Sequence, residues 1–246
     1  MLGLTVGELV IASVAALLVG MAKGGLKGIS IISVALMALV YGAKASTGVL
    51  LTLLIVADVF AVIYYNKHCK WEYLKKFLPA TMVGVLLGVW VGKDLPEAQF
   101  KQCMAVVILI SVVMMFWRDR KPQQSFPKHW WFAGSTGMAA GFTSMVGNLA
   151  GAFANLFFLA TNIPKNEIIG TSSWLFFILN LFKLPFHIFV WGTISSESIK
   201  FNLPLLPALI VGFVLGVKLV SYINEKMYRN FLLIVTAIGA ILIFIR

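Results

Sequence analysis

Apolar runs of about 18 to 25 residues recur from one end of the chain to the other, separated by short polar stretches. A helix of that length crosses the roughly 30 Å hydrocarbon layer of a bilayer. With 60% of 246 residues hydrophobic and 12% charged, nothing is left over for a separate soluble domain. The chain therefore reads as an all-α, multi-pass integral membrane protein, a polytopic bundle of about 8 to 10 transmembrane or half-spanning helices.

Apolar runs and their punctuation predict helices at about 4–22, 28–41, 46–66, 74–92, 99–117, 130–144, 149–161, 167–190, 203–221 and 228–245. The second and seventh are nearer to half-helices than to full spans. The first is read as mature protein rather than a signal peptide, because Glu8 stands in its n-region, where a lysine or arginine belongs.

The net charge of +11 resides mostly in loops beside aromatic residues, as membrane anchors do, and no nucleic-acid partner is expected. Lys67, Lys70, Lys75 and Lys76 form one basic loop and Arg118, Arg120, Lys121 and Lys128 another, so both are read as cytoplasmic. The segments around Lys93 and around "WGTISSESIK" (191–200) are then external. Cys69 and Cys103 have no metal-ligand spacing and fall near opposite faces, which argues against a disulfide.

The sequence also repeats. "LPATMVGVLLGVWVGKDLPEAQF" (78–100) aligns with "LPALIVGFVLGVKLVSYINEKMY" (206–228) at an offset of 206 − 78 = 128. Upstream, Gly20 matches Gly141 and Lys44 matches Lys165 at an offset of 121, and Asp58 falls opposite Asn180 one residue out of step. This predicts a first repeat over 1–120, a cytoplasmic linker over 121–129 and a second repeat over 130–246. The loop charges agree with inversion of one repeat relative to the other, an arrangement common in secondary transporters.

Each repeat is broken at the same place. "GMAKGGLKG" (20–28) interrupts one long apolar run, and "GFTSMVGNLAG" (141–151) is its counterpart. Glycine costs about 1 kcal/mol relative to alanine in a helix, and a mid-membrane lysine about 2.5 to 3.5 kcal/mol. Broken backbone at membrane depth is tolerated where it lines a cavity or is buried in protein, and amides at helix ends attract anions. The expected site for a small-molecule anion is therefore Lys23, Gly24, Gly25, Lys27, Ser144, Gly147 and Asn148, with Lys183 able to bind it directly. The alternative reading is that these glycines serve close helix packing and the lysines lie in a cytoplasmic connection as positive-inside signals; nothing in the sequence chooses between Lys23 and Lys27. Gly84, Gly88, Gly212 and Gly216 read instead as close helix packing.

Asp58, about twelve residues into its helix, is open to three readings: proton or ion coupling, an ion pair with Lys183, or passive burial. His187 is a second coupling candidate, though a lone histidine also serves as a structural hydrogen-bonding group. Pro185 should kink the helix that carries both Lys183 and His187. Lys44 and Lys165 read as anchors at loop edges. No Ser/His/Asp set, no H-E-x-x-H motif and no GxxxxGK[ST] loop is present, so neither an enzyme nor an ATP-driven pump is expected. No cofactor is expected beyond a proton or ion gradient.

"GMAKGGLKG" and "KASTG" (44–48) in the first half, with "GNLAG" (147–151), "PKNEIIGTSS" (164–173) and "KLPFHIF" in the second, resemble the TauE/SafE sulfite exporter family over nearly the whole chain. Two departures are visible. The proline usual after the glycine-rich stretch is absent in both halves, and Ser-Thr-Gly stands at 46–48 where Gly-Thr-Ser is expected. The resemblance implies a transporter in the inner membrane that moves sulfite, an organosulfonate or a related small anion, often by export and without ATP. An uptake carrier or channel for a small carboxylate or sulfonate is the alternative. A homodimer is compatible with either reading.

Overall fold

The computed structural model describes residues 5–26, 29–119, 130–161, 163–224 and 227. Its helices are α1 (Val6–Lys23), α2 (Ser30–Tyr41), α3 (Ala43–Tyr65), α4 (Trp71–Gly92), α5 (Glu97–Asp119), α6 (Trp130–Gly147), α7 (Ala150–Ala160), α8 (Lys165–Phe189), α9 (Ser196–Asn202) and α10 (Leu206–Tyr222). No strand occurs among the described residues, and five helical segments are long and apolar enough to cross a membrane. The expected helix at 228–245, the linker at 121–129 and Lys27 lie outside the described residues.

Long apolar helices do not attract one another in lipid through hydrophobicity, so their association rests on close packing of small residues and on interhelical hydrogen bonds. Here the first kind of contact joins α1 to α10 and α4 to α6. A Cβ on Gly20 would stand 2.0 Å from the Leu209 carbonyl oxygen, and one on Gly141 would stand 1.9 Å from the Thr81 carbonyl oxygen. Likewise a Cβ on Gly212 would meet the Leu17 oxygen at 2.0 Å, and one on Gly84 the Met138 oxygen at 2.0 Å. Leu17 precedes Met138 by 121 residues, and Thr81 precedes Leu209 by 128. Positions related by the sequence offsets thus make the same backbone contacts, each half lending a helix to the other.

Between these crossings lie α3 and α8, the most buried of the long apolar helices, packed on each other. Together they carry about half of the buried polar residues, including Thr47, Asp58, Thr171, Ser172, Asn180 and Lys183. The shorter α2 packs beside α1 and α3, and α7 beside α6.

Both lysines read as anchors turn out to close helix ends. Lys44 Nζ donates to the carbonyls of Lys93 (3.0 Å) and Leu95 (3.4 Å) after α4, and Lys165 Nζ to those of Val220 (3.1 Å) in the last turn of α10 and Ile223 (2.7 Å) just past it. The last carbonyls of a helix lack intrahelical donors, and a cation there also complements the helix dipole. The turn from α2 into α3 passes through Gly42 at φ +82°, where Glu97 Oε1 accepts from Ala43 N at 2.5 Å.

Two sequence expectations are refined. The stretch 191–200, read as an external loop, holds the start of α9, which Ser195 and Ser198 begin with a reciprocal capping box. The breaks are also narrower than the glycine-rich stretches: α1 runs to Lys23 and α6 to Gly147. Gly20 and Gly141 remain helical because they serve the crossings with α10 and α4.

Candidate functional site

Each break places a short helix so that it begins beside the other. After α1, Gly24 keeps a helical backbone, its carbonyl accepts from the buried Tyr65 hydroxyl at 2.7 Å, and Gly25 turns the chain at φ +126°. After α6, Asn148 takes the turn at φ +56°, and is the one non-glycine with positive φ among the described residues. Its side chain holds it there. Nδ2 donates to the Thr47 carbonyl at 3.0 Å, and Oδ1 accepts from Lys183 Nζ at 2.7 Å. Asparagine tolerates this left-handed backbone better than other side-chain-bearing residues.

A partly open cavity lies between the breaks. Lys23, Ser30, Ser144, Asn148, Asn155, Ser173 and Asn180 supply its polar wall, and Ala22, Leu54, Ala150, Gly151 and Phe176 the rest. Ser30 begins α2, while Ala150 and Gly151 begin α7, and neither helix has a side-chain cap. The first backbone N–H groups of a helix have no intrahelical acceptor and carry the positive end of its dipole. Two such ends therefore meet one cavity, and they come from equivalent positions, since 30 + 121 = 151.

Lys23 reaches the same space from the last turn of α1. Its Nζ lies 2.5 Å from Asp58 Oδ1 and 4.6 Å from the centre of the Phe176 ring. Asp58 has no solvent exposure, whereas Lys23 retains 11% on its side chain, so the cation is the partner nearer the cavity. Asp58 Oδ2 accepts from Asn180 Nδ2 at 2.6 Å. A charge without water is tolerated when it is paired and hydrogen-bonded, and both conditions hold for this carboxylate.

The ion pair is thus with Lys23 and not with Lys183. Lys183 follows Asn180 by three residues and is rotated toward α6, where the Ser144 carbonyl (3.1 Å) and Asn148 Oδ1 take it up. It stands fully buried behind Asn148 rather than in the cavity wall. Of the other expected site residues, Ser144 and Asn148 line the cavity, while Gly24, Gly25 and Gly147 shape the breaks outside the wall. His187 is buried away from the wall, with Nδ1 2.8 Å from Thr193 Oγ1 and its ring edge-on to Trp191. Pro185 lies inside α8, which continues past it to Phe189.

Sequence reasoning missed Ser30, Gly151, Asn155, Ser173, Phe176 and Asn180 as wall residues. The available signals are the offset, which aligns Asn180 with Asp58 and Ser30 with Gly151, and the stretches 141–151 and 164–173, which hold Gly151 and Ser173; Asn155 and Phe176 lie in apolar runs.

The sequence model described as "Sulfite exporter TauE/SafE" matches residues 12–243. The chain belongs to the TauE/SafE family. This family of membrane transporters agrees with the long apolar helices. No curated protein and no solved structure matches the chain significantly.

Proposed function

We propose that this TauE/SafE protein is a secondary transporter that carries sulfite, an organosulfonate or a related sulfur oxyanion outward across the inner membrane. Two inverted halves would expose the cavity to each face in turn. The observation that carries the reading is the meeting of two uncapped helix N-termini, at Ser30 and Gly151, with Lys23 in one cavity. Helix-end amides and an ammonium group all stabilise negative charge, and water-poor surroundings strengthen that attraction.

The Lys23–Asp58 pair supports a coupling role for Asp58. An entering anion competes with the carboxylate for the Lys23 ammonium. When the anion draws Lys23 away, a proton neutralises Asp58, and anion movement becomes tied to proton movement. Lys183 acts at one remove, holding Asn148 and with it the start of α7.

The test is thermal unfolding of the purified chain in lipid nanodiscs with sulfite, methanesulfonate, acetate or chloride. A ligand at a hundredfold excess over Kd stabilises the folded state by about 2.7 kcal/mol. Stabilisation by sulfite or methanesulfonate that is lost in Lys23→Ala supports the reading. Equal response to all four anions, or none, contradicts it.

A further inference from the structure

Three asparagines face the cavity, and two of them are held by the protein. Asn148 uses both ends of its amide, and Asn180 donates to Asp58. Asn155 differs: it is 4% exposed and its Oδ1 has no partner. An unpartnered buried amide atom costs about 1–3 kcal/mol, so such a group calls for a reason.

Architecture does not supply one. The equivalent position in the first half is Val34, since 155 − 121 = 34, and it is a buried apolar residue at the same place on α2. Packing of a half-helix against its neighbours therefore does not require an amide there. Asn155 also sits one turn beyond Gly151, where an added Cβ would meet nothing within 4 Å, and both residues line the cavity.

We propose that Asn155 is a direct ligand of the transported anion, donating its side-chain N–H to one oxygen while Lys23 and the helix ends bind others. In the structure the atom without a partner is the acceptor Oδ1; a half-turn of the amide about its last bond exchanges the two ends and puts the Nδ2 donor in its place, which is the arrangement an anion requires. Several donors around one small cavity fit an anion with multiple oxygens on one centre, such as sulfite or a sulfonate, and discriminate against a halide. This inference rests on the transport reading and assigns the residue that selects within it.

Titration calorimetry of the purified full chain with sulfite, methanesulfonate and chloride tests it, on wild type, Asn155→Leu and Asn155→Ser. Loss of a hydrogen bond to a charged ligand predicts affinity for sulfite and methanesulfonate about tenfold or more weaker in both variants. The ligand-free melting temperature of Asn155→Leu should hold or rise, because an apolar side chain replaces an unpartnered amide. Wild-type sulfite binding that persists unchanged in both variants overturns the proposal and leaves the transport reading standing. A marked fall in both variants' ligand-free melting temperature makes the amide structural and also overturns it. Wild type that binds none of the anions removes the transport reading, and this proposal with it.

Discussion

Asn180 donates its side-chain amide to Asp58 Oδ2 at 2.6 Å, and the two residues occupy matched positions in the two halves of the sequence, 58 + 122 = 180. A direct contact between matched residues means that the halves meet there. The Asp58 carboxylate is thus held on one side by Asn180 and on the other by Lys23. The asymmetry of Asp against Asn gives the meeting point a single negative charge rather than two repelling ones.

Removing Lys23 should expose that dependence. Lys23→Ala leaves a buried carboxylate without its cation, a change that costs about 3–5 kcal/mol in comparable buried pairs. The double variant Lys23→Ala/Asp58→Asn should recover most of the lost thermal stability. Unfolding curves of the two single variants and the double variant check this; a double variant as unstable as the sum of the singles would show that the pair does not act as a unit.

The helix crossings allow a sharper contrast. Gly20→Ala and Gly141→Ala each place a methyl within 2.0 Å of a carbonyl oxygen on the facing helix, whereas Gly134→Ala meets nothing within 4 Å. The first two should lose at least about 1–3 kcal/mol, and Gly134→Ala should be neutral or slightly stabilising. Yield of monodisperse protein and melting temperature read the difference directly.

Lys44 and Lys165 should matter for stability and not for the anion. Each donates to carbonyls at a helix end distant in sequence. Substitution by alanine should lower stability by about 0.3–1 kcal/mol per site and leave anion affinity unchanged. A large loss of affinity in either variant would place that lysine in the permeation path.

Cys69 offers a check outside the membrane-spanning helices. Burial pushes its thiol up to about 11, and the thiolate is the form that alkylating reagents attack. In a Cys103→Ser background, alkylation should be slow at neutral pH and still climb as pH passes about 9, beyond the ordinary thiol range. A plateau near pH 9 would show that this turn is open to water.

How far the sequence reveals these features depends on whether a feature is local. The breaks are legible because glycine and lysine inside an apolar run are costly wherever the run folds. The glycine crossings follow from four-residue spacing, and the repeat offsets point to which helices match. Partner choice is another matter. Asp58 and Lys183 lie on matched helices and so invite pairing, yet Lys183 is taken up by Ser144 and Asn148 at the end of α6, and Lys23, at the end of α1, reaches Asp58 instead. Asn155 is hidden for a related reason: within "AFANLFF" nothing distinguishes it until α7 is seated with that face toward the cavity.

The most direct measurement is uptake of radiolabelled sulfite by counterflow into proteoliposomes loaded with unlabelled sulfite, comparing wild type with Lys23→Gln. The cavity account predicts transient accumulation of label in wild type, its competition by methanesulfonate but not chloride, and its loss in Lys23→Gln with folding preserved. Counterflow that Lys23→Gln leaves intact would contradict it.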